Sequence, residues 1–222
     1  MTTVGFNQQV CKVCGTKSAQ VEMGMRSLWK PYELDGRPSD SYRSSLYMMM
    51  QRCISCGYCS QDISRAVESA AVSIASERYK KQLADRSWPD TATAFMCASF
   101  IAEDAGDFSA AGTWAKLATW ICEDDRTHGD HALIARHRAI AMYLSAREKH
   151  QHFAKGEVAE LLLLIDMMRR CGNFDELAKL AAAAQELSSD ETERALIQFQ
   201  LDLVEDGDFG RHTIAEAMES ID

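Results

Sequence analysis

The chain has 222 residues, of which 46% are hydrophobic and 26% are charged, as is typical of a globular rather than a disordered protein. No secretory signal is visible at the N-terminus, and the longest apolar run, LLLLIDMM, is too short to cross a bilayer, so we expect a cytoplasmic protein. The net charge of −9 divides into +3 over residues 1–60 and −12 over the remainder, which argues against nucleic-acid binding by the C-terminal part.

The first sixty residues are typical of strands and loops. QVEMGMR, residues 20–26, alternates polar and apolar side chains as a half-buried strand does. Residues 29–42 contain two of the three prolines together with Gly36, and are therefore predicted to form a loop. SLYMMMQR, residues 45–52, is predicted to form a second strand. The sequence thus predicts a small β module over residues 1–61.

From about residue 62 the composition changes to alanine, leucine and charged residues, which favours helices. The tripeptide GDF or GNF recurs at residues 106–108, 172–174 and 207–209, at separations of 66 and 35 residues. These separations are close to two periods and one period of a helical hairpin repeat of about 34 residues. In such a repeat, glycine followed by Asp or Asn makes the turn between antiparallel helices. We therefore predict a mainly α fold, with a tetratricopeptide-like (TPR-like) α-helical domain over residues 62–222.

Two short motifs, CKVCG at residues 11–15 and CISCG at residues 53–57, hold four of the eight cysteines. Eight cysteines in a reducing compartment favour metal binding or catalysis over a disulfide framework. Each CxxC motif places two thiolates on one tight turn, and the glycine that follows lets the chain curl beneath the sulfurs. Two such knuckles supply the four sulfurs of a tetrahedral site and predict a zinc-ribbon-like module. The predicted ligands of a structural Zn²⁺ ion are Cys11, Cys14, Cys53 and Cys56.

Cys59 follows the second motif and leaves alternatives open. With Cys53 and Cys56 it forms Cx₂Cx₂C, which opens a bacterial ferredoxin motif, but that motif requires a cysteine where Ile63 stands. An iron–sulfur cluster would therefore need other cysteines. Cys59 is predicted instead to be an extra thiol beside the site, either structural or redox-sensitive. The cysteines scattered through the predicted helices are interpreted as small hydrophobic residues; they are Cys97, Cys122 and Cys171.

These features occur together in a known family. CKVCG, a strand with Arg26, a polar loop through residues 35–38, Leu46–Tyr47 leading into CISCGY, and an AGDF turn before a helix with tryptophan follow one another in this order. The sequence resembles an uncharacterised bacterial family in which zinc-ribbon-like CxxCG knuckles precede tetratricopeptide-like helices. The resemblance is strongest in residues 11–62 and 95–122. It implies zinc on the four knuckle cysteines, and it implies no activity.

We expect a non-enzymatic protein–protein interaction adaptor or scaffold, because helical hairpin arrays present extended surfaces without inherent chemistry. An acidic array is expected to bind a basic or amphipathic segment of a protein partner. One alternative is a zinc-ribbon nucleic-acid-binding regulator, based on the +3 charge of the N-terminal module and on its aromatic residues, Trp29, Tyr32, Tyr42 and Tyr47. The cationic residues that this alternative needs are Arg26, Lys30, Arg43 and Arg52. The other alternative is a thiol-based redox sensor that uses Cys59.

Overall fold

The computed structural model describes residues 4–23, 32–39, 43 and 45–219. The chain divides into two compact units, residues 1–28 with 44–145 and residues 29–43 with 146–222. The predicted boundary after residue 61 therefore lies inside the first unit. Cys11 and Cys53 of the N-terminal module share one buried hydrophobic cluster with Tyr79 and Ile101 of the helices, which accounts for this division.

The N-terminal sheet of the first unit is a hairpin of two antiparallel strands, β1 (Val4–Val10) and β2 (Lys17–Met23). Phe6 lies opposite Val21 in this hairpin, and Val10 lies opposite Lys17. The strand predicted over residues 20–26 is thus present but begins earlier, and its last three residues lie outside the described part of the chain.

The strand predicted over residues 45–52 is wrong over most of its length. A 3₁₀ helix spans Leu46–Met49, with the Met48 N–H donating to the Ser45 carbonyl at 3.0 Å. Only β3 (Gln51–Arg52) is extended, and it pairs antiparallel with β4 (Cys59–Ser60). The methionine run carries no alternation of polar and apolar residues, so periodicity could not distinguish a helical turn from a strand there.

The GDF sequence at residues 106–108 forms the predicted turn between two helices of the first unit. Gly106 has a φ of +76°, and the Asp107 carboxylate accepts a hydrogen bond from the Ala110 N–H at 2.9 Å, which caps the second helix. The helices of this unit are α1 (Ala70–Ala75), α2 (Glu77–Ala84), α3 (Asp90–Asp104), α4 (Phe108–Asp124) and most of α5 (Gly129–Glu148), with a 3₁₀ helix at Arg126–His128.

The second unit contains α6 (Glu157–Arg169), α7 (Phe174–Leu187), α8 (Glu191–Glu205) and α9 (Ile214–Glu219). Gly172, with a φ of +70°, makes the predicted turn between α6 and α7. The third predicted hairpin turn is wrong, because Gly207 ends α8 but no helix begins at the phenylalanine that follows. Arg169 is fully buried and donates to the carbonyl oxygens of Asp208 at 2.6 Å and Gly210 at 2.9 Å. These hydrogen bonds hold the segment that follows α8 in an irregular conformation instead of a helix.

The loop predicted between the two cysteine motifs is described over residues 32–39, called the strap below, and it belongs to the second unit. Its Glu33 carboxylate accepts a hydrogen bond from Arg211 Nε at 2.9 Å. Its Asp35 carboxylate accepts one from Arg170 at 3.3 Å. Both carboxylates are buried. The chain therefore leaves the first unit after one cysteine motif and returns to it before the other.

Over the described residues the fold is mainly helical with small two-stranded antiparallel sheets near the N-terminus, as predicted. The TPR-like arrangement of the helices stays a prediction. Among the same residues, no helix combines the length and apolar character needed to cross a membrane.

Candidate metal centre

The two CxxCG motifs fold into matching turns within the first unit. In residues 11–15, called the first knuckle, the Gly15 N–H donates to the Cys11 carbonyl at 2.8 Å. In residues 53–57, the second knuckle, the Gly57 N–H donates to the Cys53 carbonyl at 3.0 Å. The two glycines have φ values of +75° and +74°, which residues with a side chain rarely adopt. The glycine after each cysteine pair is therefore a requirement of the turn.

The four knuckle cysteines meet in one cluster. Their sulfur atoms all lie within 4.8 Å of one another. The Cys11 and Cys56 sulfurs are 3.7 Å apart, and those of Cys14 and Cys53 are 3.5 Å apart. A tetrahedral ion with metal–sulfur bonds of about 2.3 Å separates its sulfurs by about 3.8 Å. The predicted residues are thus able to hold one metal ion, and the separations fit a single ion better than the larger frame of an iron–sulfur cluster.

The thiols of the cluster differ in acidity. Hydrogen bonding with the Thr16 hydroxyl, 3.3 Å away, and with the Thr16 backbone lowers the pKa of exposed Cys14 to about 6. Burial raises the pKa of Cys11 and that of Cys56. At neutral pH the metal-free site therefore holds a thiolate at Cys14 and protonated thiols at Cys11 and Cys56, and metal binding must displace the latter protons.

The cluster is anchored in the hydrophobic core of the first unit. Cys53 and Tyr58 of the second knuckle region are 1% and 3% exposed, and Ile63 is fully buried beside them. The Lys12 N–H of the first knuckle donates to the Ile63 carbonyl at 2.8 Å, which links the two knuckle regions through the backbone. A metal ion held here would therefore fasten the N-terminal segment to this core.

Cys59 lies outside the group of four sulfurs. It is 1% exposed, and its thiol donates to the Gly57 carbonyl at 3.3 Å. Its N–H donates to the Tyr79 hydroxyl at 3.1 Å, and that hydroxyl donates to the Gly57 carbonyl at 2.8 Å. Hydrogen bonding with the Cys97 thiol lowers the pKa of Cys59. Sequence analysis did not identify Tyr79, because nothing in its local sequence distinguishes it from any other helical tyrosine.

The other predicted cysteines that the structure describes lie outside the group of four sulfurs. Cys97 and Cys122 are fully buried in helices, as expected of small hydrophobic residues, and Cys171 is half-buried. Burial raises the pKa of Cys122 to about 12. Several residues of the nucleic-acid alternative lie outside the described part of the chain, namely Arg26, Trp29, Lys30 and Tyr42. Arg43 pairs with Glu33 of the strap at 3.5 Å.

In comparisons with known proteins, no protein family, no curated protein and no solved structure matches this chain. The family resemblance of the sequence therefore has no support beyond the four-cysteine cluster, which is compatible with zinc-ribbon-like knuckles.

Proposed function

We propose that the protein is a non-enzymatic interaction adaptor whose N-terminal segment is stabilised by a structural zinc ion. The observation that carries this proposal is the donor set, four cysteine sulfurs within 4.8 Å of one another, which is enough to fill all the positions of a tetrahedral site. Structural zinc sites use four protein ligands in this way, whereas catalytic sites keep one position open for water or substrate. Zinc in such a site contributes on the order of 10 kcal/mol to folding.

The partner we propose is a protein that offers a basic or amphipathic segment. Residues 61–222 carry a balance of −12, which attracts such a segment and repels a phosphate backbone. Two of the positive charges in the N-terminal part are engaged within the second unit, since Arg37 is fully buried and Arg43 pairs with Glu33. These contacts weaken the case for a nucleic-acid regulator. The burial of Cys59 likewise weakens the case for a redox sensor, because sensor thiols are usually accessible.

Elemental analysis of the purified chain tests the metal centre. We expect about one zinc per chain, lost in Cys11→Ser and in Cys56→Ser because each removes one of four ligands. Cys59→Ser is the matched control and should retain the metal, since Cys59 lies outside the cluster. Iron with labile sulfide, or zinc that survives both ligand substitutions, would contradict the assignment.

Affinity capture from the native host tests the adaptor role. The zinc-loaded chain should retain specific polypeptides through its acidic surface, and binding of RNA or DNA should disappear at about physiological salt. Tight nucleic-acid binding that persists at this salt and is lost when Arg26, Lys30, Arg43 and Arg52 are neutralised would replace the adaptor with the nucleic-acid regulator.

A further inference from the structure

The β1–β2 hairpin presents its apolar face to solvent. Phe6 and Val10 share one face of β1, and they are 72% and 51% exposed. On the opposite face, Ser18 and Gln20 of β2 are each only 6% exposed. The Gln20 side-chain amide donates to the Arg52 carbonyl at 3.2 Å, so the polar face is the one packed on the first unit. This is the reverse of the usual arrangement in a half-buried sheet.

One edge of β1 faces away from its partner strand. The Cys11 N–H donates to the Thr16 carbonyl at 2.9 Å, which continues the register of the hairpin by one residue pair. Because the direction of the backbone groups alternates along an antiparallel ladder, the N–H and C=O groups of Phe6, Gln8 and Val10 point outward. Among the described residues, β1 pairs only with β2.

This edge lacks the features that usually prevent strand pairing. The sequence of β1, VGFNQQV, contains no charged residue and no proline. By contrast, β2 is supported on its other side, where the Gln51 side-chain amide donates to the Val21 carbonyl at 3.4 Å. An uncharged seven-residue strand with an exposed edge and an exposed apolar face is suited to the addition of another strand.

We propose that the occupant of this edge is β1 of a second copy of the chain. A two-fold axis perpendicular to the strands makes two identical strands antiparallel, and it places each residue of β1 opposite a residue of β1 in the second copy. In such a pair, charged residues of the strand could face the same charge on the second copy, and like charges directly opposite each other oppose pairing. Because β1 has no charged residue, this repulsion does not arise. Full overlap places Phe6 opposite Gln8 of the second copy and Val10 opposite Val4 of the second copy. The four strands then form one sheet with the Phe6 and Val10 side chains of both copies on the same face.

The charges that flank the strand also permit this pairing. Lys12 and Lys17 both lie at the knuckle end of the hairpin. In an antiparallel pair the two knuckle ends are at opposite ends of the sheet, about 20 Å apart for a strand of this length. This separation exceeds the screening length of about 8 Å at physiological salt. The proposal concerns the hairpin alone and holds whether or not the proposed adaptor function does.

The molar mass of the full-length chain in solution, from light scattering over a range of concentrations, tests the proposal. The wild type should approach twice the 24.8 kDa of one chain at the upper concentrations. Gln8→Pro removes one outward N–H and is tolerated at a free edge, so it should give the mass of one chain. Val72→Ser, which removes a 75% exposed apolar side chain from α1, outside the hairpin and the knuckles, is the control and should keep the wild-type mass. Circular dichroism checks that both variants are folded.

Two double variants, both changed at residues 6 and 8, test the register between the two copies of β1. Phe6→Lys with Gln8→Lys places lysine opposite lysine of the second copy and should give a monomer. Phe6→Glu with Gln8→Lys places glutamate opposite lysine and should restore the dimer. A wild type that has the mass of one chain at every concentration overturns the proposal. A folded Gln8→Pro variant that remains dimeric, or two charge variants with equal masses, also overturns it.

Discussion

The two knuckles have the same backbone turn but differ in what surrounds the glycine that ends each turn. A Cβ atom added at Gly15 of the first knuckle would have no neighbour within 4 Å, whereas one added at Gly57 of the second would lie 2.3 Å from the Leu83 side chain. The second cysteine of the first knuckle, Cys14, is exposed, whereas its counterpart Cys56 is half-buried, and the first cysteine of each knuckle is buried. The C-terminal end of the first knuckle, its second cysteine and glycine, therefore lies at the surface, whereas the same end of the second knuckle packs against the first unit.

This difference shows that one local motif can serve two structural purposes. Both turns present two thiols to the same site, so the metal requires both equally. The second is also held by a hydrogen bond from a helix, because the Tyr79 hydroxyl of α2 donates to the Gly57 carbonyl. We infer that the first knuckle depends more on the metal for its position than the second, whose glycine is also held by the core.

Removal of the metal should have the largest effect and should separate the two knuckles. A chelator is expected to lower the free energy of unfolding of the first unit by on the order of 10 kcal/mol. In hydrogen-exchange measurements, the amides of the first knuckle and of the β1–β2 hairpin should lose protection first. The amides of Gly57 and Cys59 should retain part of theirs, because their bonds to Cys53 and Tyr79 lie within the core. Equal loss in both knuckles would contradict the comparison.

Adding one methyl group to each knuckle glycine should give the next largest difference. Gly15→Ala should cost about 1 kcal/mol of unfolding free energy, since only the positive φ is unfavourable. Gly57→Ala should cost about 3 kcal/mol, because overpacking against Leu83 adds to the same backbone strain. Denaturant unfolding measures both. When Leu83→Ala is present, the cost of Gly57→Ala should fall to about that of Gly15→Ala; an unchanged cost would exclude the clash as its cause.

Metal affinity should depend steeply on pH. Burial raises the pKa of Cys11 and of Cys56, so both are protonated in the metal-free protein at neutral pH and each loses a proton on binding. The dissociation constant should therefore rise at least about 100-fold for each unit by which the pH falls, one factor of ten for each of these two protons. Below the Cys14 pKa of about 6 the dependence should steepen by a further proton.

Competition with a chromophoric chelator across this pH range measures the slope. Thr16→Val removes the hydroxyl that lowers the pKa of Cys14, so the point at which the slope steepens should move to higher pH. A slope of one proton or less near neutral pH would contradict the assigned protonation states.

Loss of the Tyr79 hydroxyl should have the smallest of these effects. Tyr79→Phe leaves the Gly57 carbonyl without this donor and the Cys59 N–H without its acceptor, which should cost about 1–3 kcal/mol. Metal content should be unchanged, because these hydrogen bonds of the Tyr79 hydroxyl join it to the backbone of Gly57 and Cys59 and not to a ligand sulfur. Tyr47→Phe, at a tyrosine that is 52% exposed, is the control and should have little effect on thermal unfolding. A Tyr79→Phe variant as stable as this control would mean that the second knuckle needs no support from α2.

Local sequence signals predicted those features whose geometry is confined to a few consecutive residues. The CxxCG spacing identified the four clustered cysteines, and glycine with Asp or Asn identified the turns at Gly106 and Gly172. The same signal failed at Gly207, because the path of the following segment depends on hydrogen bonds from Arg169. The strand predicted over residues 45–52 was wrong because consecutive apolar residues show neither the two-residue period of a strand nor the 3.6-residue period of a helix.

By itself the sequence determined the four cysteines that cluster, the mainly helical composition and two helical turns, because short-range backbone geometry governs each of them. Only the tertiary structure decided that the strap joins the second unit, that the hairpin exposes its apolar face and that Cys59 contacts Tyr79 rather than the metal cluster. Each of these arrangements rests on contacts between residues far apart in the chain. Their free energy depends on which surfaces are buried together, and no local pattern of residues encodes that choice.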